Sequence, residues 1–226
     1  MLAFARLLET HAILFDYDDT LVRTRQCKFG ALRAVASRHY GFELSTSEIE
    51  RHWGVAYRAL FQALFARVEP ELDRAIRFYE ALDEEFAITA HPETLRVLGA
   101  LVERGPVGIV TAAGRSIALG QMERLGFPLA RFAIVQTAED TSFHKPDPRV
   151  FEPAIQALER RRVARSAVTY VGDSLADFEA ARGAGLAFVG VLRGTTSAEA
   201  FARVGAVTVE SLDELLELVT SAVESR

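Results

Sequence analysis

Three carboxylates and a hydroxyl close the run Ala12-Ile13-Leu14-Phe15-Asp16-Tyr17-Asp18-Asp19-Thr20-Leu21. Two aspartates two positions apart can divide a group transfer, one attacking and the other carrying a proton, provided a cation offsets their repulsion. Three later stretches end in the same manner. Val107-Gly108-Ile109-Val110 delivers Thr111, then Ala112, Ala113 and Gly114, offering a hydroxyl and backbone N–H groups to phosphate oxygens. His144-Lys145-Pro146-Asp147-Pro148 sets an ammonium beside two prolines that stiffen the backbone and aim it. Val168-Thr169-Tyr170-Val171-Gly172-Asp173-Ser174-Leu175-Ala176-Asp177 places two carboxylates four residues apart, a spacing that can share a cation, and an all-oxygen ligand set suits Mg²⁺. Each stretch has a plainer reading: Thr111 as a turn residue, Lys145 as solvated, Asp173 or Ser174 as a helix N-cap, Asp177 as a first-turn acid. His144 is assigned to the turn. Four such endings in one chain favour chemistry over four separate caps.

These groups need a scaffold that brings strand ends together. Four consecutive apolar residues at Ala12–Phe15 predict a strand buried on both faces, as in a parallel sheet. From His91 onward strand and helix alternate. Helices are expected over Pro92–Glu103, Arg115–Leu125, Arg149–Leu158, Ala176–Arg182 and Leu212–Val219, and strands over Val107–Val110, Phe132–Val135, Ala167–Val171, Ala187–Val191 and Val207–Val209. Such alternation implies parallel strands with right-handed crossovers, whose ligands sit beyond the carboxyl ends of the strands. Between Val22 and Ala90 the spacing is helical instead. Phe29, Leu32, Val35, Ala36 and Tyr40 form one face, Val55, Leu60, Phe61, Leu64, Phe65 and Val68 a second, and Leu72, Ile76, Tyr79, Leu82 and Phe86 a third, with Gly41, Gly54 and Pro70 as punctuation. The strand at Ala12 belongs to the later sheet, so this helical segment (22–90) interrupts one α/β domain made of 1–21 and 91–226.

Composition bounds the function. With 226 residues, 50% of them hydrophobic, the chain can bury a sizeable core. A formal charge of −5 argues against general binding to nucleic acid or anionic membranes, so an anionic substrate must be met by local cations. A single cysteine, Cys27, makes no internal disulfide and fits a reducing compartment; charge interrupts the apolar residues of Met1–Glu9 before a secretory or spanning segment forms, and the expected location is cytoplasmic. Lys and Arg together number 26, yet only Lys28 and Lys145 are lysine, which marks Lys145 as a position needing a compact ammonium.

In their order and residue types these stretches resemble the four motifs of the haloacid dehalogenase-like hydrolase superfamily. Asp16, Asp18 and Thr20 match its Asp-x-Asp-x-Thr opening, Thr111 its second motif, Lys145 its third, and Asp173 with Asp177 its fourth; Lys145-Pro146-Asp147-Pro148 and Gly172-Asp173-Ser174 resemble the phosphoglycolate phosphatase-like branch. Two positions depart: Asp19 stands where many sugar-phosphate and phosphoglycolate phosphatases have glycine, and Ala112 where asparagine often follows the second-motif hydroxyl. The resemblance implies a Rossmann-like α/β core with helices on both faces of the sheet and an inserted helical cap. It also implies an aspartyl-phosphate route in which Asp16 attacks, Asp18 acts as acid and then base, Thr111 binds the phosphoryl group and Lys145 offsets its charge. The metal set so implied is Asp16, Asp18 through its backbone carbonyl, Asp173 and Asp177, around Mg²⁺.

The substrate expected is a small phosphorylated metabolite, phosphoglycolate foremost, with the chain a monomer or homodimer. Thr20, Ala112, Arg23 and Lys28 are the nearest candidates to touch it; Arg25, His52 and Arg58 could add charge, and Tyr17 and Trp53 a stacking surface. A sugar phosphomutase and a nucleotidase remain open. A phosphoacceptor or binding module without turnover is the rival of another class, and the long helical insert favours the enzyme. The carboxylate at Asp18 argues against a dehalogenase or phosphonate hydrolase.

Overall fold

The computed structural model describes residues 10–53, 57–194 and 196–224. Met1–Glu9, Gly54 and Val55, all invoked above, lie outside them. The chain divides into two compact units, Met1–Val22 with Ala90–Arg226, and Arg23–Thr89.

The first unit is built on six parallel strands: β1 (Ala12–Phe15), β2 (Val107–Val110), β3 (Ile134–Gln136), β4 (Val168–Gly172), β5 (Ala187–Val191) and β6 (Val207–Val209). Their spatial order is β3-β2-β1-β4-β5-β6. The chain therefore winds outward from β1 in one direction, crosses over, and winds outward in the other. β1 sits at that reversal, with Phe15 level with Ile109 of β2 on one side and Val171 of β4 on the other. Every residue of β1, β2, β4 and β5 is buried, as parallel strands covered on both faces require. Between and after the strands come α5 (Thr94–Val102), α6 (Arg115–Arg124), α7 (Glu152–Glu159), α8 (Leu175–Gly183), α9 (Ala198–Arg203) and α10 (Leu212–Glu224). An apolar cluster of this unit packs Phe151, Ile155, Leu158, Phe178 and Phe201 against β4 and β5.

Several elements differ from the sequence reading: the helix expected from Pro92 begins at Thr94, and the closing helix expected to end at Val219 runs to Glu224. β3 spans Ile134–Gln136 rather than Phe132–Val135; it reaches Gln136 because that side chain has partners inside: its Nε2 donates to Val150 O at 2.6 Å and its Oε1 accepts from Ala154 N at 3.0 Å. The helix expected from Arg149 opens as a 3₁₀ turn, Pro148–Phe151, with Asp147 accepting from Arg149 N, and turns α-helical at Glu152. α9 was missed altogether. It has six residues and buries only Phe201, too short a period to read.

The second unit contains α1 (Thr24–Tyr40), α2 (Thr46–Glu50), α3 (Tyr57–Phe65) and α4 (Leu72–Glu80) among the described residues. Its core is Phe29, Leu32, Val35, Ile49, Phe61, Phe65 and Ile76, and each such side chain stabilises the fold by about 1.5–3 kcal/mol on burial. Gly41 ends α1 at φ 69°, a left-handed cap that glycine adopts without strain. Val68, placed on a core face by its spacing, is 45% exposed because α3 has ended before it. No helix among the described residues is long and apolar enough to cross a membrane.

Candidate active site

Asp16 directly follows β1, Thr111 directly follows β2, and Asp173 directly follows β4, so the reversal of strand order gathers three side chains from distant parts of the sequence. Asp177 joins them from the first turn of α8. One of its oxygens closes a capping box with Ser174, accepting from Ser174 N at 3.1 Å and Oγ at 2.5 Å. The other oxygen lies 2.8 Å from Lys145 Nζ. Asp177 is thus both the first-turn acid and part of the cluster. Gly172 makes this approach feasible, because a Cβ there would lie 2.7 Å from Asp177 Cγ.

Lys145 bridges two of the acids, with Nζ 2.5 Å from Asp16 Oδ1 as well as 2.8 Å from Asp177 Oδ1. The turn that holds it is tied by Asp147, which accepts from both the backbone and the side chain of Arg149; the Lys145–Pro146 peptide within it is cis. His144 is exposed, and its carbonyl accepts from Asp147 N, the turn role expected of it. Thr20 is fully buried with its Oγ1 3.5 Å from both Asp16 Oδ2 and Asp173 Oδ1.

Asp16, Asp173 and Asp177 each offer a carboxylate oxygen, and the three oxygens lie within 4.8 Å of one another. One ammonium does not balance three carboxylates. Burial lifts Asp16 to about 7 in spite of Lys145 beside it, and lifts Asp173 to about 8, with Asp16 and Asp177 adding to the effect. Burial opposes the charge on Lys145, but Asp16 and Asp177 outweigh it and hold the ammonium well above its usual range. With all three acids ionised the cluster carries two negative charges in excess, which a divalent cation would neutralise, and hard oxygen donors are the ligands Mg²⁺ takes. The donor set fits that ion. The Asp18 carboxylate lies outside this triad; Asp18 is partly exposed, and its backbone pairs with Val22.

Thr111 is 4% exposed and its Oγ1 accepts from Ala113 N at 3.0 Å, which leaves the hydroxyl proton to donate. Of the N–H groups expected after it, that of Ala113 is taken up by this bond, and the next N–H beyond the expected three, Arg115 N, donates to Glu139, at 2.9 Å to Oε2. Ala112 is exposed. Asp19 has φ 56°, a left-handed backbone conformation that Asp tolerates better than most side chains. Tyr17 offers no stacking surface: it is fully buried, packed edge-on to Phe127 with its hydroxyl 3.4 Å from Gln121 Oε1. In the helical unit Trp53 packs against Phe29, Arg25 pairs with Glu50 and Arg58 with Asp73, while Arg23, Lys28 and His52 are partly exposed.

Sequence reasoning passed over two neighbours of the cluster. Tyr170, an apolar-looking strand residue, is buried with its hydroxyl 3.3 Å from Asp177 Oδ1 and its ring 5.2 Å from Lys145 Nζ. Gly194 lies so close to Asp173 that a Cβ on it would overlap the carboxylate. The signal available for Gly194 was its place just beyond the end of β5, on the same edge as the other site residues.

The sequence profile of the haloacid dehalogenase-like hydrolases matches residues 13–191. The chain belongs to that family. It is 28% identical over 186 residues to the pyrophosphatase PpaX of Bacillus pumilus, covering 80% of this chain and 82% of the relative. It is 32% identical over 125 residues to the phosphoglycolate phosphatase of Escherichia coli K12, covering 55% of this chain and 48% of that one. A crystal structure from Thermotoga maritima, provisionally called a β-phosphoglucomutase, superposes with a TM-score of 0.77 at 24% identity over 94% of this chain and 99% of that one, a likeness of fold. The chain is an enzyme, a hydrolase of the phosphatase kind.

Proposed function

We propose that the chain is a Mg²⁺-dependent phosphatase that hydrolyses a small organic phosphomonoester through an aspartyl-phosphate on Asp16. The observation that carries this reading is the buried Asp16 carboxylate at the end of β1, set against Lys145 and within reach of two further carboxylates. Asp16 attacks phosphorus and the bond to the leaving oxygen breaks, while Asp18 gives that oxygen a proton. Asp18 then takes a proton from the water that attacks the phosphoryl group, which frees phosphate and restores Asp16. Thr111 donates its hydroxyl to the phosphoryl oxygens, with Ala112 supplying a backbone N–H, and Lys145 offsets their charge. Asp16, the Asp18 carbonyl, Asp173 and Asp177 would hold Mg²⁺, which when bound supplies positive charge to the phosphoryl oxygens.

The helical insert, 22–90, takes the role of a cap that selects the substrate, with Arg23 and Lys28 as the cations offered and Thr20 at the catalytic side. The names of the relatives support a small, strongly anionic phosphate, so phosphoglycolate and pyrophosphate are the first compounds to test. The acidic net charge and single cysteine support a cytoplasmic protein without nucleic-acid or membrane partners, and a monomer or homodimer is the assembly we propose for it. Release of phosphate from p-nitrophenyl phosphate, measured with Mg²⁺ and with chelator, tests the assignment. It requires activity that chelation removes and Asp16→Asn abolishes; chelator-resistant turnover by a folded Asp16→Asn protein contradicts it.

A further inference from the structure

Resting on that reading of the carboxylate site, we propose that Arg193 is a positioning residue that fixes the loop carrying Asp18 and Thr20. Arg193 follows β5 and bears none of the reacting groups. Its Nη1 donates to Thr20 O at 3.3 Å, and its Nη2 pairs with Glu93. The pair is largely withdrawn from solvent, with side chains 11% and 14% exposed, so both charges depend on one another. Glu93 precedes α5 and also lies 3.4 Å from Leu212 N at the start of α10. The strut therefore joins three segments of the first unit to one backbone carbonyl. That carbonyl belongs to Thr20, whose hydroxyl lies between Asp16 and Asp173. The residue after Arg193 is Gly194, whose backbone rests on Asp173. A single turn beyond β5 thus constrains the Asp16–Thr20 loop through a side chain and Asp173 through its main chain. Thr94 fixes the next carbonyl, donating to Leu21 O at 2.9 Å, so the exit of the loop is held at two successive residues.

The guanidinium reaches Thr20 O and Glu93 with two separate nitrogens, Nη1 and Nη2, in a fixed planar fork; a lysine would have to meet both from one nitrogen on a differently shaped stem, which shifts the loop. The test is steady-state kinetics, calorimetric Mg²⁺ titration and melting temperature on Arg193→Lys and Glu93→Gln. Arg193→Lys should lower kcat about tenfold or more with KM changed by less than about threefold, because a misplaced reacting group slows chemistry more than it weakens binding. Its Mg²⁺ affinity should fall severalfold, and Glu93→Gln should show smaller losses in the same direction. If Arg193→Lys does not fold, the milder Glu93→Gln decides on the same measurements. Variants that keep kcat, KM and Mg²⁺ affinity within about twofold while melting earlier would reduce Arg193 to a structural strut and overturn the proposal. A wild-type protein that releases no phosphate would sink the functional reading instead, and the Mg²⁺ titration would then decide the role of Arg193 alone.

Discussion

Asp16 faces an ammonium 2.5 Å away and still binds its proton up to about pH 7, because burial outweighs the attraction of Lys145. Asp173 behaves alike up to about 8. Both acids hold protons more tightly folded than unfolded, so without metal the fold carries extra protons between the ordinary value of 3.8 and about 8, and its stability falls as pH rises through that window. With chelator present, the melting temperature should be lower near pH 8 than near pH 6. A divalent cation must displace those protons, so Mg²⁺ should raise the melting temperature more near pH 8. An equal Mg²⁺ effect at both pH values would contradict this account of the cluster. Asp18→Asn should cost about 10² to 10⁴ in kcat, the range of a lost general acid-base group, with the fold intact by circular dichroism. Lys145→Arg should fail to restore the activity lost in Lys145→Ala, since the guanidinium is larger than the ammonium that fits between Asp16 and Asp177.

The turn from β4 into α8 shows how an element places a functional carboxylate. Ser174 caps the helix, Asp177 closes the box, and the backbone at Gly172 allows Asp177 to lie flat against the strand end. Gly172→Ala should push Asp177 from Lys145 and destabilise the protein by about 1–3 kcal/mol, the cost of an overpacked site. Differential scanning calorimetry would check this, and an unchanged melting temperature would contradict it. The strands that deliver these groups were legible because an apolar run ending on Asp, Thr or Gly-Asp is a local pattern, and β1, β2 and β4 were read from it nearly to the residue; β5 and β6 were read from their apolar runs and the alternation with helices. The partners of these groups were not legible. Tyr170 looks like any strand aromatic until α8 folds back over it, and Arg193 meets Thr20 across 173 positions of sequence, a contact that only the sheet order creates. Gln136 was missed for the same reason, since its partners Val150 and Ala154 become its neighbours only when α7 packs.

At the scale of the whole molecule, the α/β unit holds the reacting groups and the helical unit holds the remaining lysine. This division predicts separable effects. Lys28→Ala and Arg23→Ala should raise KM severalfold for phosphoglycolate and less for p-nitrophenyl phosphate, which lacks the second anionic group, with kcat nearly unchanged. Equal changes for both esters would remove these two side chains from substrate selection. Across a panel of phosphoglycolate, pyrophosphate, hexose phosphates and nucleoside monophosphates, small anionic compounds should give the highest kcat/KM, and interconversion of hexose phosphates without phosphate release would point to a mutase. All of these readings depend on a covalent phosphoryl group on Asp16. The most direct measurement is rapid acid quench of the Asp18→Asn enzyme turning over an aryl phosphate, followed by peptide mass spectrometry. The account predicts a phosphoryl adduct on the peptide containing Asp16, formed as fast as the first aryl alcohol is released and absent from Asp16→Asn; release of alcohol and phosphate together, with no adduct at any time, would contradict it.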